Sequence, residues 1–336
     1  PGELGEDIVE QESIAFEPFE YRYHPQIRMR ESLLRLSSRA WTNNPPSGPW
    51  ARRQRLQLDS LDYYRVIEHG WDGWWERYHE NHPEYFALQP DGTRSAFPNP
   101  RNIKICQSNP GVWEQWVAEV AQKLDDREGV PGRTIFSAAP TDGFNKGICI
   151  CEDCRAWDHP DGEACRYLWQ GVGQEYVAMS DRHVTFANHI ARRLKKRFPE
   201  RELYVMMYAY GYSRSAPIEA VPDDNVLMAM VHNFHLESKS RKRRKERLMK
   251  FKSWPEVSRL IWRPNVGYGA GAAWMWGMPY ISLTQAIEDV KLVAERNAIG
   301  IWIGGVWEHW LTQGPHYYLM AQMTWNPDRD GKAILD

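Results

Sequence analysis

Apolar residues fall along this chain in two alternating rhythms: short unbroken runs bounded by turn residues, and longer stretches with a three-and-four spacing. The runs read as buried strands and the spaced stretches as amphipathic helices. Strands are predicted at 27–30, 63–70, 102–107, 133–139, 203–210, 226–231, 259–262 and 299–306, and helices at 32–41, 110–126, 176–198, 241–251 and 282–296. A last helix begins in YYLMAQMTWNP. Proline at position 110 pre-organises a helix start, and the basic run at 192–197 suits the negative end of a helix dipole. The segment NNPPSGP at 43–49 has to be a loop, because proline removes donors and restricts its predecessor. Gln89-Pro90-Asp91-Gly92 reads as a turn, and the stretch from Trp71 to Tyr78 as an aromatic loop.

Strand and helix in alternation imply right-handed parallel crossovers, which either close into a barrel or wind into an open sheet. No GxGxxG or GxxxxGK[ST] follows the first strand, so the dinucleotide and P-loop versions of the open sheet lack their phosphate-binding feature. The expectation is an α/β fold of the (β/α)8 TIM-barrel kind. Residues 1–25 are expected to lead in from a missing N-terminal domain, 26–326 to form the barrel, and 327–336 to begin a C-terminal extension.

Composition changes this picture in three places. The net charge of −2 gives no global field that favours nucleic acid or an anionic membrane, and no apolar run is long enough to span a bilayer. The basic run at 239–247 has no aromatic interleaving and reads as the solvated face of an outer helix. The 17 Trp beside 16 Tyr and 10 Phe exceed what a core of this size needs; broad faces with a polar handle suit stacking against sugar rings.

The candidate chemistry centres on IFSAAPTDGFNKGICICEDC at 135–154, where a buried run delivers Asp142 to a loop. In barrels the loops after the strands' C-terminal ends carry the active site. Glu308, after IGIWIGGV and flanked by Trp307 and Trp310, stands at the equivalent place on the last strand. Two carboxylates at one rim are what glycoside hydrolysis uses, one giving a proton to the leaving oxygen and one acting as nucleophile or stabiliser. His69, Asp72, His232 and Asn233 also sit at predicted strand ends, where they would hold sugar hydroxyls, with Trp71, Trp74, Trp75, Trp307 and Trp310 as the stacking surface. Cys149, Cys151, Cys154 and Cys165 are either a four-thiolate structural zinc site, a disulfide pair or reduced packing cysteines, while Cys106 stands apart. No cofactor is required for this chemistry.

The blocks HGWDGWWERYHENHPEYFALQPDGTR, ICQSNPGVWE, the aspartate followed by CICEDC, YVMMYAYGYSRSAP with PDDNV, and YYLMAQMTWNP together resemble the bacterial "domain of unknown function 4838" family. That family includes glycoside hydrolase family 163, endo-β-N-acetylglucosaminidases acting on complex N-glycans. The resemblance implies a TIM barrel, a carbohydrate substrate and an exported (periplasmic, surface or secreted) protein. Thr141 stands where relatives often have an Asn before the Asp. The expected function is a retaining glycoside hydrolase of a β-linked N-acetylhexosamine or related glycan, using Asp142 and Glu308. Two alternatives stay open: a non-catalytic glycan-binding barrel, and a metal-dependent hydrolase.

Overall fold

Among the described residues, nine strands and the helices between them follow the alternation of the sequence, with three departures. The structure is a computed structural model. It describes the chain from residue 22 onward apart from 33–49, 51–52, 57–63, 66–68, 126–132, 144–145, 232–239, 255–257, 265–282, 297, 304–309 and 335–336, with isolated residues before 22. The described strands are β1 (Met29–Ser32), β2 (Tyr64–Arg65), β3 (Arg133–Ser137), β4 (Ala164–Trp169), β5 (Val172–Val177), β6 (Glu202–Ala209), β7 (Val226–Met230), β8 (Arg259–Trp262) and β9 (Gly300–Ile303). The chain divides into two compact units, Pro1–Ser60 with Asn233–Arg241 and Trp262–Asp336, and Leu61–His232 with Lys242–Ile261.

In the first unit β1 pairs in parallel with β9, Met29 opposite Gly300 and Ser32 opposite Ile303. The helices Leu283–Glu295 and Trp310–Trp325 flank β9 in sequence and supply buried Val290, Val293, Leu319 and Met323. The predicted helix at 32–41 and loop at 43–49 lie outside the described residues.

The second unit carries the parallel ladder β2–β3–β6–β7, with β8 next to β7 in the strand order. Val205, Met206, Met207, Leu227, Met228 and Ala229 are all fully buried. Such unbroken apolar runs are what a parallel sheet covered on both faces requires. The covering helices are Pro110–Asp125, which buries Val112, Trp113, Trp116 and Val120, and Ser180–Arg197, which buries Val184, Phe186, Ile190 and Leu194. The fold is therefore mixed α/β with parallel strands joined through helices. In the basic helix Arg241–Ser253, Phe251 is buried while Lys242 and Lys245 are exposed. No helix among the described residues is long and apolar enough to cross a membrane.

Three expectations need correction. The run at 102–107 is buried but is not a strand; a 3-10 turn at Pro100–Asn102 leads into a single antiparallel bridge between Phe86 and Ile105. The Asn99 side chain accepts from Asn102 N at 3.0 Å and fixes that turn. The helix expected over 176–198 starts at Ser180, because Tyr176 and Val177 belong to a β4–β5 hairpin. Its two-residue turn, Gln170-Gly171, has both φ angles positive, 47° and 82°, as hairpin twist demands, yet lacks the Asn-Gly or Asp-Gly that would announce it. Finally, Trp74–Tyr78 is a short helix and not part of a loop.

Candidate active site at the ends of the second and third strands

Parallel pairing of β2 with β3 brings the segments that follow them side by side. Gly70 N donates to Ala139 O at 3.0 Å, Trp71 Nε1 to Ala138 O at 3.1 Å, and His69 Nδ1 meets Pro140 O at 2.9 Å. The backbones approach so closely that a Cβ at Gly70 would lie 2.5 Å from Ser137 O, so only glycine fits. A carbonyl only accepts, so His69 Nδ1 is the protonated nitrogen in this contact, and Nε2 is left facing Asp142 Oδ1 at 3.8 Å. The Asp142 carboxyl is 79% exposed, against 21% for the His69 ring. Gly143 follows at φ +76°, in the left-handed region that glycine enters without strain.

The loop that carries Asp142 is gripped from behind. The buried Lys104 ammonium donates to Thr141 O at 2.9 Å, Thr141 Oγ1 at 3.0 Å, Asp142 O at 2.5 Å and Asn102 O at 3.1 Å. Thr141 Oγ1 in turn donates to Ile103 O at 2.6 Å. Burial pushes Lys104 down to about 7, with the Asp142 carboxylate pushing back. Thr141 is thus a buried anchor for the loop.

Beneath Lys104 lies a pocket of ≈ 20 Å³, lined among others by Trp71, Gln107, Cys149, His183 and Tyr212. That is room for a water and not for a sugar ring. Gln107 Oε1 and His183 Nδ1 are buried without a partner, two groups such a water would satisfy. Burial first, then the Arg182 and Lys104 charges, pushes His183 down to about 3, so this ring is neutral at physiological pH.

Further behind, the thiols of Cys106, Cys149, Cys151 and Cys154 all lie within 4.8 Å of one another. Hydrogen bonds from Cys106, Cys149 and Cys154 hold the Cys151 thiol well below its ordinary range, while the thiol neighbours and burial push Cys149 up. Burial works against the Arg94 guanidinium, and the Cys106, Cys149 and Cys151 sulfurs more than offset it, keeping its pKa raised. Arg182, fully buried, donates through Nη1 to Cys149 O at 2.8 Å and through Nε to Asp158 Oδ1 at 2.8 Å, with a second bond from Nη2 to Asp158 Oδ2. Burial lowers its pKa and the Asp158 carboxylate more than restores it.

The structure thus brings His69 and Asp142 together and distributes the other expected residues differently. Trp71 and Trp74 are 2% and 1% exposed and pack edge-to-face at 4.7 Å, so they are core and present no face to a sugar. Trp75 is half-buried, stacked on His79 at 4.8 Å. Asp72 is exposed on the turn before the Trp74–Tyr78 helix. Cys165 does not join the other thiols; it faces Tyr176 across the hairpin and packs near Ile148, Tyr167 and Tyr212, and its place is taken by Cys106. Glu308, Trp307, His232 and Asn233 lie outside the described residues, as does the Trp310 side chain, although its backbone starts a helix. Sequence reasoning passed over Lys104, Cys106, Arg182 and His183. The one signal for the first two was a lysine and a cysteine inside the otherwise apolar run Asn102 to Gln107.

Comparison with known proteins gives one family and two structures. The family model described as "Domain of unknown function (DUF4838)" matches residues 10–336. No curated protein matches the chain. Two solved structures of a glycoside hydrolase family 5 enzyme from Prevotella bryantii B14 are similar at 12% identity and a TM-score of 0.39, covering 64% of this chain and 63% of that one. One of the two is a mutant in complex with a xyloglucan tetradecasaccharide. The chain spans about 63% of the length of that enzyme.

Proposed function

We propose, from the premise that this chain belongs to the DUF4838 family of domains of unknown function, that it is a retaining glycoside hydrolase acting on a β-linked N-acetylhexosamine or a related glycan. The observation that carries the reading is the presentation of Asp142. Its backbone is clamped by a buried lysine while its carboxyl stands 79% exposed beside His69, past the C-terminal end of a parallel strand. Loops at that end of parallel strands are where α/β enzymes hold ligands. The resemblance to the DUF4838 family, among whose members are endo-β-N-acetylglucosaminidases, suggests the substrate class, and the parallel β2–β3–β6–β7 and β1–β9 pairings support a (β/α)8 barrel as the parent architecture.

In this mechanism Glu308 is the general acid/base. It protonates the glycosidic oxygen as the bond to the anomeric carbon breaks, then takes a proton from the water that completes hydrolysis. Asp142 either attacks the anomeric carbon to form the glycosyl-enzyme, or orients the substrate's N-acetyl oxygen to attack in its place; the two acids can exchange these roles. With Nδ1 donating to Pro140 O, His69 Nε2 is the acceptor of the neutral ring, and it takes a hydrogen bond from a substrate hydroxyl held beside Asp142.

Turnover on a panel of aryl glycosides and complex N-glycans tests the reading. Asp142→Asn and Glu308→Gln should each lower kcat by roughly a hundredfold or more. Full activity in both variants, or no turnover of any glycan by the wild type, removes the assignment. The burial of Trp71 and Trp74 leaves the non-catalytic glycan-binding reading with fewer of the aromatic faces it needs.

A further inference from the structure

The thiol cluster behind the Asp142 loop has the shape of a metal site that sequence spacing did not delineate. We propose that Cys106, Cys149, Cys151 and Cys154 bind one zinc ion as a tetrahedral, four-thiolate structural site.

Distance carries the argument first. Zinc–sulfur bonds of about 2.3 Å in a tetrahedron set the sulfurs about 3.8 Å apart. The observed separations are 3.5 Å for Cys149–Cys151, 3.7 Å for Cys106–Cys151 and 3.8 Å for Cys106–Cys154. A disulfide needs about 2.0 Å, and all five cysteines are free thiols. An iron–sulfur cluster places several inorganic atoms between its cysteines and holds them further apart.

The surroundings are those of a metal-bound thiolate set. Leu88 N donates to Cys149 Sγ at 3.3 Å and Ser108 N to Cys154 Sγ at 3.4 Å, backbone bonds that orient the sulfurs and spread their negative charge. Arg182, itself paired with Asp158, donates to the Cys149 carbonyl at 2.8 Å and fixes that stretch of backbone. Three of the four cysteines are buried with Ala87 packed against them and Cys151 is half-buried, so the sulfurs are largely shielded from water. Zinc takes the place of the thiol protons, which are released as it binds. With four sulfurs bound the ion has no open position for water, so its work is structural. It joins Cys106 to the 149–154 segment while Lys104, two residues away, holds Thr141 and Asp142, so the candidate loop is tied down on both sides.

Metal analysis of the wild-type chain purified under reducing conditions should read one zinc per chain. X-ray absorption at the zinc edge should read four sulfurs at about 2.3 Å. Cobalt exchanged into the site should give the intense visible bands of tetrahedral thiolate coordination. Cys165→Ser should keep the ion and all four sulfurs, whereas Cys106→Ser should lose the ion or fall to three sulfurs. The proposal is overturned by protein that takes up no zinc when supplied with it, by iron in its place, by nitrogen or oxygen in the first shell, or by loss of the metal in Cys165→Ser with retention in Cys106→Ser. The wild-type spectrum decides the matter even where Cys106→Ser does not fold.

Discussion

The clasp behind the Asp142 loop, built from 103–108 and 140–154, and the rim in front of it, where Asp142 of the same second stretch meets His69, follow opposite rules. Behind, Lys104, Thr141, Cys106, Cys149 and Cys154 are buried, the lysine donates to several oxygens at once, and the threonine hydroxyl accepts from it while donating to Ile103 O. In front, one residue further along, the Asp142 carboxyl is mostly in water and meets His69 only at 3.8 Å. Fixing the backbone while leaving the side chain to solvent pre-organises an acid without burying it, as a group meant to meet a ligand requires. Substitutions on the two sides should therefore separate stability from activity.

The largest loss is expected at Arg182, in the buried network around the clasp. Its side chain is fully buried against Asp158, itself 6% exposed, and Tyr176 OH donates to the same carboxylate at 2.5 Å. Arg182→Leu strands a buried carboxylate, which costs about 3–5 kcal/mol. Urea unfolding of the variant checks this, and a loss below about 1 kcal/mol would mean that the network does not hold the loop. Replacing Asp158 as well, with Leu, should recover part of the loss, because the orphaned charge goes with it.

A smaller, pH-dependent effect is expected at His183. Its pKa is about 3 in the fold, against about 6.5 in the unfolded chain. Between those values the unfolded chain binds more protons, so stability is complete above pH 6.5 and is lost as pH falls towards 3. By pH 4 the loss is about 3 kcal/mol. His183→Phe, which keeps a ring against Tyr212, should flatten this part of the acid limb. Wild-type and variant stability curves that run parallel from pH 7 to 4 would show that the ring is not buried neutral.

The difference between clasp and rim also explains what the sequence disclosed. Strands β3, β6 and β7 and the helices Pro110–Asp125 and Ser180–Arg197 were legible because burial on one or both faces writes itself as periodicity. Asp142 was legible because it ends such a run. The clasp was not, since its members come together through tertiary contacts that carry no period. Cys106 reaches Cys151 and Cys154 across a long intervening segment, while Cys165, nearer in sequence, is carried off by a hairpin whose turn lacks the usual residues. Trp71 and Trp74 misled in the opposite direction: aromatic density reads as a binding surface, yet the indole of Trp71 finds its acceptor in Ala138 O and both rings pack inward.

The smallest stability effect, and the sharpest comparison, is expected between neighbours. Thr141→Val keeps the shape of the side chain but removes the hydroxyl that donates to Ile103 O and accepts from Lys104. With the site 3% exposed, the Ile103 carbonyl left without its donor should cost about 1–3 kcal/mol, while the Lys104 ammonium keeps three carbonyl acceptors for its three protons. Asp142→Asn changes a side chain that water already surrounds, so stability should move by no more than about 0.5 kcal/mol, while glycan turnover falls roughly a hundredfold or more. Thermal unfolding of both variants beside their kinetics reads the two outcomes together. If Asp142→Asn costs as much stability as Thr141→Val, the acid belongs to the clasp and the rim loses its candidate; if it costs neither stability nor turnover, Asp142 is a surface turn and the clasp serves the fold alone.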